Sequence, residues 1–414
     1  MISDVLVIGG GAAGMMAAHT AALYGKNVVL LERNERLGKK LLITGKGRCN
    51  ITNQCDVNTL IANVTSNGKF LYSAANHFTP QDTISYFEQA NVPVKIERGN
   101  RVFPVSDKAF DVAKALENNL KTCGVTVIID RVKKILIKDQ QVIGVEGHSG
   151  KQYQALSVIL ATGGKSYPVT GSTGDGYQMA EQLGHMIVKP KPSLVPIVTK
   201  EDWCKKAQGL SLKNVTLTLT DLESGKILFE ELGEMLFTHF GVSGPLVLSA
   251  SAHIKQIQPN RYRLSIDLKP GLNEKQLDSR ILRDFAQNAN KDFGNSLGGL
   301  LPRKLIPLII RFSEIPYEQK VNQITKEMRK KLCEVIKCLT LTIADFRPIE
   351  EAIITAGGID VKQVDPKTMQ SKLINGLYFA GEVLDLDAYT GGFNLQIAFS
   401  TGYAAGMSAA LATH

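Results

Sequence analysis

The chain has 414 residues, which is long enough for two or three domains and a large hydrophobic core. Hydrophobic residues make up 44% and charged residues 21% of the sequence, a balance that excludes a largely disordered chain. The formal net charge is +9, but basic and acidic residues are interleaved, so the charge favours an ordinary globular protein over one with a nucleic-acid-binding tail.

The sequence argues against a membrane span, a bound metal and redox-active thiols. No apolar run approaches the ~18 residues that span a bilayer, and no basic segment precedes Val5 as it would in a signal peptide. We therefore expect a cytoplasmic protein without membrane contact. The six cysteines form no CxxC pair, which predicts reduced structural thiols and no bound metal.

The first predicted elements form a dinucleotide-binding fingerprint. Residues 4–14 read as a short apolar strand that runs into the glycines Gly9, Gly11 and Gly14. A helix-length segment of small residues follows, and a second strand over residues 28–32 ends in an acid. The distance from glycines to acid is close to the ~20 residues expected for this motif.

Each position of the fingerprint has a physical role. Gly9 allows a sharp turn out of the strand, Gly11 lets the backbone approach a pyrophosphate, and Gly14 allows close packing of helix and sheet. The helix then directs free N–H groups and the positive end of its dipole at the phosphates. Glu32 can accept both ribose hydroxyls but would repel a 2'-phosphate, so FAD or NAD is favoured over NADP.

The next part of the chain has the α/β pattern up to about residue 190. Alternating apolar residues then predict an antiparallel hairpin, with strands around 215–219 and 227–229 and a turn at 222–225. Residues 261–268 repeat the alternation. The period becomes helical after residue 273, and two apolar faces are predicted: Leu277, Ile281, Leu282 and Phe285; then Val321, Ile324, Met328, Leu332 and Val335.

Two later segments favour FAD over NAD. Residues 159–164 and 377–382 each join a short strand to glycines. A cofactor as extended as FAD needs contacts beyond its adenosine half, whereas a simple NAD domain does not need these segments. A closing helix of small residues begins after Gly392.

We therefore predict an α/β fold, with a Rossmann-type, glutathione-reductase-like FAD-binding domain that is interrupted by an insertion. The FAD-binding domain is expected to be discontinuous, over residues 1–190 and 350–414. The insertion is predicted to comprise a β-rich, barrel-like domain over 191–270, to which 340–350 can be added, and a helical subdomain over 271–340.

The sequence resembles, over nearly its whole length, a family of NAD(P)/FAD-dependent oxidoreductases that includes BaiN-type proteins and aminoacetone oxidases. The segments that carry the resemblance are residues 9–14 with Glu32, 44–53, 161–164, 171–176, 237–245, 355–358, 378–385 and 390–396.

The resemblance implies FAD contacts along much of the chain. Arg48 and the amides of its loop would lie along the pyrophosphate and ribitol, and Glu382 would accept a ribitol hydroxyl. The N-terminus of the last helix would face the pyrimidine edge of the flavin and stabilise its reduced form. The full set of expected contacts is Gly9, Gly11, Ala12, Ala13, Gly14, Glu32, Arg33, Lys40, Gly45, Gly47, Arg48, Cys49, Asn50, Ala161, Thr162, Gly163, Gly164, Gly381, Glu382, Gly391, Gly392, Phe393, Asn394 and Leu395.

Two residues are candidates for catalysis. His239 can act as an acid or a base, but its place between Phe237 and Phe240 is equally typical of a packed structural histidine. Tyr389, which with Thr390 directly precedes the last glycine pair, can hold a substrate or only pack. Cys49 has no resolving cysteine nearby, which argues against thiol redox chemistry.

The expected function is hydride transfer between flavin N5 and a small organic substrate. The resemblance leaves open amine oxidation and NAD(P)H-dependent reduction of an unsaturated compound. A second GxGxxG motif is absent, so any NAD(P)H would be a transient electron donor. An RNA-modifying flavoprotein and a flavin-binding sensor without turnover are the alternatives, although the interleaved charges favour a small-molecule substrate over nucleic acid. The oligomeric state is left open.

Overall fold

Eighteen strands and thirteen α-helices occur in the part of the chain that the computed structural model describes, residues 2–254 and 256–412. The strands are β1 (Ser3–Ile8), β2 (Val28–Glu32), β3 (Thr52–Asn53), β4 (Val94–Glu97), β5 (Arg101–Pro104), β6 (Thr126–Ile129), β7 (Val132–Lys138), β8 (Gln141–Gly147), β9 (Gln152–Leu160), β10 (Ile187–Ser193), β11 (Ile197–Thr199), β12 (Ser211–Asp221), β13 (Lys226–Phe237), β14 (Gly241–Ser243), β15 (Tyr262–Asp267), β16 (Leu339–Phe346), β17 (Ile354–Ile359) and β18 (Leu377–Phe379). The helices are α1 (Ala12–Leu23), α2 (Lys39–Ile43), α3 (Val57–Ala62), α4 (Gly68–His77), α5 (Pro80–Gln89), α6 (Ala109–Thr122), α7 (Asp175–Gln182), α8 (Pro245–Ala252), α9 (Glu274–Ala286), α10 (Phe293–Ser296), α11 (Ile306–Ser313), α12 (Lys326–Lys337) and α13 (Phe393–Leu411).

The described residues divide into two units. Unit 1 comprises the residues up to Ser193 together with those from Pro348 onward, and unit 2 comprises Leu194–Arg347. Each unit has its own hydrophobic core.

Unit 1 is built on a mixed sheet with strand order β6-β2-β1-β9-β8-β7, in which β18 also pairs with β9. The strands β6, β2, β1, β9 and β18 pair in parallel, while β7 and β8 are antiparallel additions at one edge. The central strand β1 has no exposed side chain from Val5 to Val7, as expected for a parallel strand covered on both faces. The helices α1 and α13 pack against each other. This arrangement confirms the predicted Rossmann-type fold.

Unit 2 contains a closed barrel of order β11-β14-β13-β12-β15-β16. The predicted hairpin is confirmed as β12 and β13, which pair antiparallel from Ser211–Leu236 to Asp221–Lys226 around the turn. Alternate residues of β12 point inward, and Leu217 and Leu219 are fully buried. Strand β16 returns after the helices to close the barrel between β15 and β11.

The helical part of unit 2 differs from the predicted faces in two respects. On α9 the buried residues are Leu277, Ile281 and Phe285, which follow a strict i, i+4, i+8 spacing, whereas Leu282 is 44% exposed. The buried stripe is one residue narrower than predicted, because Leu282 lies outside the i, i+4, i+8 row. The second predicted face is not one helical stripe, since α12 begins only at Lys326, after the N-cap Thr325.

The residues of that second face therefore divide between two elements. Val321 and Ile324 are buried but precede α12. The helix itself buries Leu332, Cys333 and Ile336. Within residues 2–254 and 256–412, no helix is long and apolar enough to cross a membrane.

Candidate functional site

The fingerprint glycines form the turn between β1 and α1. A Cβ atom at Gly14 would lie 1.8 Å from the carbonyl oxygen of Gly9, so only glycine fits at that position. A Cβ atom at Gly11 would meet nothing within 4 Å. The backbone at the start of α1 is therefore open to a ligand, while Gly14 is required by packing. Ala12 and Ala13 are the first two residues of the helix.

Glu32 ends β2, and its carboxylate forms hydrogen bonds that stabilise the glycine turn. One oxygen, Oε2, accepts a hydrogen bond from the amide of Gly10 at 2.7 Å. The other, Oε1, accepts from the amide and the side chain of Asn34 at 2.8 and 2.7 Å. A carboxylate has about four acceptor positions, so room remains for about one further hydroxyl donor.

Arg33, another expected contact, is held by neighbouring side chains. Its Nη1 atom donates to the hydroxyl of Thr173 at 2.7 Å and to the carboxylate of Asp175 at 3.1 Å. Arg131 binds the same carboxylate. The guanidinium of Arg33 is thus attached to the segment that leads into α7.

Lys40 and Glu382 form an ion pair that the sequence does not predict. Lys40 Nζ donates to Glu382 Oε2 at 2.6 Å and to Ser166 Oγ at 2.6 Å. Glu382 Oε1 accepts from Ser166 Oγ at 3.0 Å and from the amide of Thr355 at 2.9 Å. Lys40 and Glu382, both expected to contact FAD, therefore lie next to each other, and Ser166 and Thr355 form hydrogen bonds with this pair.

The expected contacts that follow strands lie at one edge of the sheet. They come directly after β1, β2, β9 and β18, and include residues 161–164 and Gly381. Because these strands are parallel, their carboxyl ends meet at the same edge, which is where α/β proteins of this type bind ligands.

The loop over residues 44–50 has an unusual backbone. Gly45, Lys46 and Gly47 all have positive φ angles, of 55°, 58° and 85°. Successive left-handed residues turn backbone amides away from regular pairing, and such turns can bind anions. Lys46 is exposed and is the non-glycine member of this run. The backbone is consistent with a phosphate-binding loop.

Arg48 is engaged with acidic residues that the sequence does not place near it. Its guanidinium donates to Glu97, with an Nη1 distance of 3.2 Å, and to Asp107, with an Nε distance of 2.9 Å. It also lies 4.2 Å from the centre of the Phe103 ring. Hydrogen bonds from Arg48 are the main cause that lowers the pKa of Glu97, and those from Lys95 and then Arg48 lower the pKa of Asp107.

Strand β3 is fixed against the start of α13. The amide of the Asn53 side chain donates to the carbonyl oxygens of Gly99 at 2.9 Å and Gly391 at 3.0 Å. A Cβ atom at Gly392 would lie 2.3 Å from the carbonyl oxygen of Thr52, so the backbones touch. The strand that follows the loop over residues 44–50 is therefore in contact with the residues that begin the last helix.

A buried glutamine supports this contact. Gln396, which is 0% exposed, accepts hydrogen bonds from Thr52 at 2.6 Å and Thr83 at 2.7 Å. Its amide group donates to the carbonyl oxygen of Phe78 at 3.1 Å and to Ser400 at 3.0 Å. The one available signal in the sequence is a glutamine within an otherwise apolar, small-residue helix.

The N-terminus of α13 is held by Asn394. Its side chain accepts from the amide of Ala388 at 2.9 Å and donates to the carbonyl oxygen of the same residue at 2.8 Å. The side chain therefore fixes the preceding loop. Phe393 and Leu395 flank it in the first turn of the helix, where amides have no acceptor within the helix.

Five buried side-chain atoms have no hydrogen-bond partner in the described part of the chain: Asn50 Oδ1, Thr162 Oγ1, His185 Nδ1, Thr238 Oγ1 and Asp387 Oδ1. An unpaired buried polar atom costs about 1–3 kcal/mol, so such atoms point to a missing partner. Asn50 and Thr162 lie on segments expected to contact FAD. Together with the open backbone at Gly11, they fit a large polar cofactor.

The remaining candidates differ in their surroundings. His239 lies in the turn between β13 and β14 in unit 2, where its side chain is exposed and its ring is 5.0 Å from that of Phe240. Tyr389 is partly buried in unit 1, and its amide donates to Asn63 at 3.0 Å. Complete burial raises the pKa of the Cys49 thiol to about 12. This makes Cys49 a poor nucleophile at neutral pH.

The parallel sheet, the glycine turn before α1 and the acid at the end of β2 define a Rossmann-type dinucleotide-binding protein. The chain belongs to the family described as HI0933-like protein Rossmann domain, which matches residues 3–408.

Two characterised relatives are each 32% identical over 98% of this chain and 98% of their own length. One is the 3-dehydro-bile acid delta(4,6)-reductase of Clostridium scindens, and the other is the ribosomal RNA dihydrouridine synthase of Haemophilus influenzae. Among solved structures, the open conformation of a flavocytochrome c3 fumarate reductase matches 99% of this chain and 78% of its own, with 18% identity and a TM-score of 0.54, a likeness of fold alone. The chain is an FAD-dependent oxidoreductase.

Proposed function

We propose that the protein reduces a carbon–carbon double bond conjugated to a carbonyl group in a small organic substrate, with NAD(P)H as a transient electron donor. The observation that carries this proposal is the chemistry shared by the two relatives. One is named as a reductase at the 4,6 positions of a 3-dehydro bile acid. The other is named for dihydrouridine, which is uridine with the double bond next to its C4 carbonyl saturated. Neither name involves amine oxidation.

When bound and reduced by NAD(P)H, FAD would supply a hydride from flavin N5, and the residues of unit 1 have the task of holding it. We assign the pyrophosphate to the amides at Gly11, Ala12 and Ala13, and the adenosine ribose to Glu32. The remaining contacts are assigned to Arg33, Lys40, Gly45, Gly47, Asn50, Ala161, Thr162, Gly163, Gly164, Gly381, Glu382, Gly391, Gly392, Phe393, Asn394 and Leu395. Arg48 and Cys49 remain proposed contacts in the same loop, where Arg48 is also bound to Glu97 and Asp107 and Cys49 is fully buried.

The reaction also needs one proton at the carbon next to the carbonyl. His239 and Tyr389 are the proposed donors. The imidazole of His239 is exposed, and Tyr389 lies two residues before the glycine pair that leads into α13. If His239 is the donor, His239→Gln slows the reaction with the unsaturated substrate and leaves flavin reduction by NAD(P)H unchanged. If Tyr389 is the donor, Tyr389→Phe has that effect.

Anaerobic flavin spectroscopy tests the proposed function. The FAD-loaded protein is mixed with NADH or NADPH, and loss of the flavin absorbance is recorded. A 3-keto-4,6-diene steroid is then added, and we expect the oxidised flavin spectrum to return without oxygen. Aminoacetone serves as the alternative reductant, and bleaching by aminoacetone alone would replace the reductase by an amine oxidase. Protein that neither binds FAD nor bleaches with any donor would contradict both.

A second candidate is reduction of uridine in RNA. Besides the synthase relative, the charge distribution favours it: unit 2 has 23 Lys and Arg against 17 Asp and Glu, which gives +6 of the total of +9. Lys304 Nζ donates to the carbonyl oxygen of Gln208 at 2.7 Å, which places Lys304 beside the turn that contains Lys206. Both lysines and Arg303 are exposed, and none forms an ion pair in the described part of the chain.

Salt-dependent binding separates the two candidates. If RNA is the substrate, its affinity falls steeply as salt rises, and Lys206→Glu with Lys304→Glu weakens it further. Lys226→Glu, an exposed charge reversal at the start of β13, is the matched control. Equal binding by both variants, or no binding of ribosomal RNA at all, would leave the small-molecule reductase.

A further inference from the structure

Asp387 is a buried carboxylate with a free oxygen, on the loop that leads into α13. Its side chain is 2% exposed. One oxygen, Oδ2, accepts a hydrogen bond from the hydroxyl of Ser193 at 2.7 Å. The other, Oδ1, is buried and has no partner among the described residues. A buried acceptor without a donor is costly, so this oxygen is a candidate acceptor for a ligand.

The loop around Asp387 is rigidly fixed. The amide and the hydroxyl of Thr65 both donate to the carbonyl oxygen of Asp387, at 2.8 and 3.0 Å. Ala388 is bound by Asn394 on one side and pairs with Val64 on the other. The backbone is therefore pinned from two directions. The terminal torsion of an aspartate is soft, so the carboxyl group itself can still adjust to a ligand.

The neighbouring groups show which ligand chemistry fits. The first amides of α13 are donors, and Oδ1 of Asp387 is an acceptor on the loop that Asn394 joins to that helix turn through Ala388. A pyrimidinedione ring has an edge that alternates carbonyl, N–H and carbonyl. Donors from the helix and one acceptor from the loop complement such an edge, which a simple ketone does not offer.

We propose that Asp387 Oδ1 accepts a hydrogen bond from the imide N–H of a pyrimidinedione ring bound at the N-terminus of α13. Two sources carry this group: the flavin of FAD, and the uracil of a nucleotide substrate. The proposal rests on the proposed function, which places the flavin at this helix. Nearby Asp385 differs, since its carboxylate already accepts from the Asn67 side chain at 2.9 Å.

Methylated ligands test the hydrogen bond directly. Apoprotein is titrated with FAD and with 3-methyl-FAD, which has lost the imide hydrogen, and the two dissociation constants are compared. Loss of a hydrogen bond to a charged group weakens binding by about 10- to 100-fold. We expect that ratio for the unaltered protein, a smaller one for Asp387→Asn, and a ratio near one for Asp387→Ala.

The variants separate a hydrogen bond from a steric clash. Asp387→Asn keeps the size of the side chain but has a weaker, uncharged acceptor, so a purely steric effect of the methyl group would leave its ratio unchanged. Asp385→Ala is the matched control and keeps the full ratio. If Asp387→Ala does not fold, the ratio for the unaltered protein and for Asp387→Asn still decides the question.

A second arm distinguishes the source of the imide. If FAD and 3-methyl-FAD bind equally, uridine and 3-methyluridine are compared on the FAD-loaded protein by flavin difference spectra. Preference for uridine that Asp387→Ala abolishes assigns the contact to the substrate. Equal binding in both arms overturns the proposal. Failure of the proposed function would look different. NAD(P)H-driven reduction would then be absent, while the ratio of the dissociation constants of 3-methyl-FAD and FAD would stay the same.

Discussion

Unit 1 and the barrel of unit 2 are stabilised in different ways. The barrel has an apolar interior, with Leu217, Leu219 and Leu264 fully buried. Unit 1 has an apolar core as well, but next to the candidate site it buries hydrogen-bonded polar groups such as Gln396 and Thr52. Apolar packing tolerates substitution with a loss of stability alone, whereas a polar network also fixes the orientation of its members. The two regions should therefore respond differently to mutation.

The largest effect is expected at Gly14. Gly14→Ala places a Cβ atom 1.8 Å from the carbonyl oxygen of Gly9, and backbone cannot move aside cheaply. We expect loss of bound flavin and a destabilisation of at least about 3 kcal/mol. Gly11→Ala is the matched control, because its Cβ atom meets nothing within 4 Å. It should leave the melting temperature of the apoprotein unchanged and weaken FAD binding, and equal melting behaviour of the two variants would contradict this explanation.

A pair of core substitutions tests the comparison itself. Leu217→Ala should destabilise the protein by about 2–5 kcal/mol without changing the FAD affinity of the folded protein. Gln396→Leu removes a hydrogen-bond acceptor from the hydroxyls of Thr52 and Thr83 and should cost about 2–4 kcal/mol, and it should also weaken FAD binding. Denaturant unfolding and FAD titration measure the two quantities. If both variants changed affinity alike, the distinction between the regions would fail.

The next effect depends on pH and involves His185 in unit 1. Burial lowers the pKa of this histidine to about 4, and its Nε2 atom lies 3.0 Å from Ser371 Oγ. In the unfolded chain the pKa of this histidine is ~6.5. Between pH values of about 4 and about 6.5, the unfolded chain therefore binds a proton at His185 that the folded chain does not bind. Its contribution to stability is complete above pH ~6.5 and is lost as the pH falls toward about 4, at up to about 1.4 kcal/mol per pH unit.

His185→Gln should therefore flatten the dependence of unfolding free energy on pH between about 4 and 6.5. Leu217→Ala, which removes no titratable group, is the control and should lower the free energy of unfolding without changing the slope. A slope that persists in His185→Gln would assign the acid sensitivity to other groups.

The smallest effect concerns Arg48. Whether FAD affinity falls or rises when an acidic partner of Arg48 is removed shows what Arg48 does. If Arg48 holds the loop through Glu97 and Asp107, then Glu97→Gln should weaken FAD binding about 2- to 5-fold, the range of a partly exposed ion pair. If Arg48 instead binds the cofactor, releasing it from Glu97 should strengthen binding. Titration of each variant with FAD at low and high salt distinguishes the two roles of Arg48. Lys114→Gln, which removes a partly exposed ion pair on α6, is the control.

The fold class and the fingerprint were predictable because they depend on local spacing. Gly9, Gly11, Gly14 and Glu32 lie within one strand–helix–strand unit, so their order alone places them together. The network of Gln396 was not predictable, since Thr52 and Thr83 lie more than three hundred residues earlier in the chain. The same holds for the ion pairs of Arg48, whose acidic partners lie 49 and 59 residues further along the chain. Leu282 was misplaced because a helical period alone does not give the width of the buried stripe.

The pairing of β10 with β17 has a consequence for how this architecture can change. Ser193 at the end of β10 lies opposite Ile354 at the start of β17, in antiparallel register. The chain thus leaves unit 1 and re-enters it at adjacent points of one small ribbon, as a hairpin does on either side of its loop. Exchange of the intervening segment for another module, or for a tight turn, would leave the parallel sheet topologically intact.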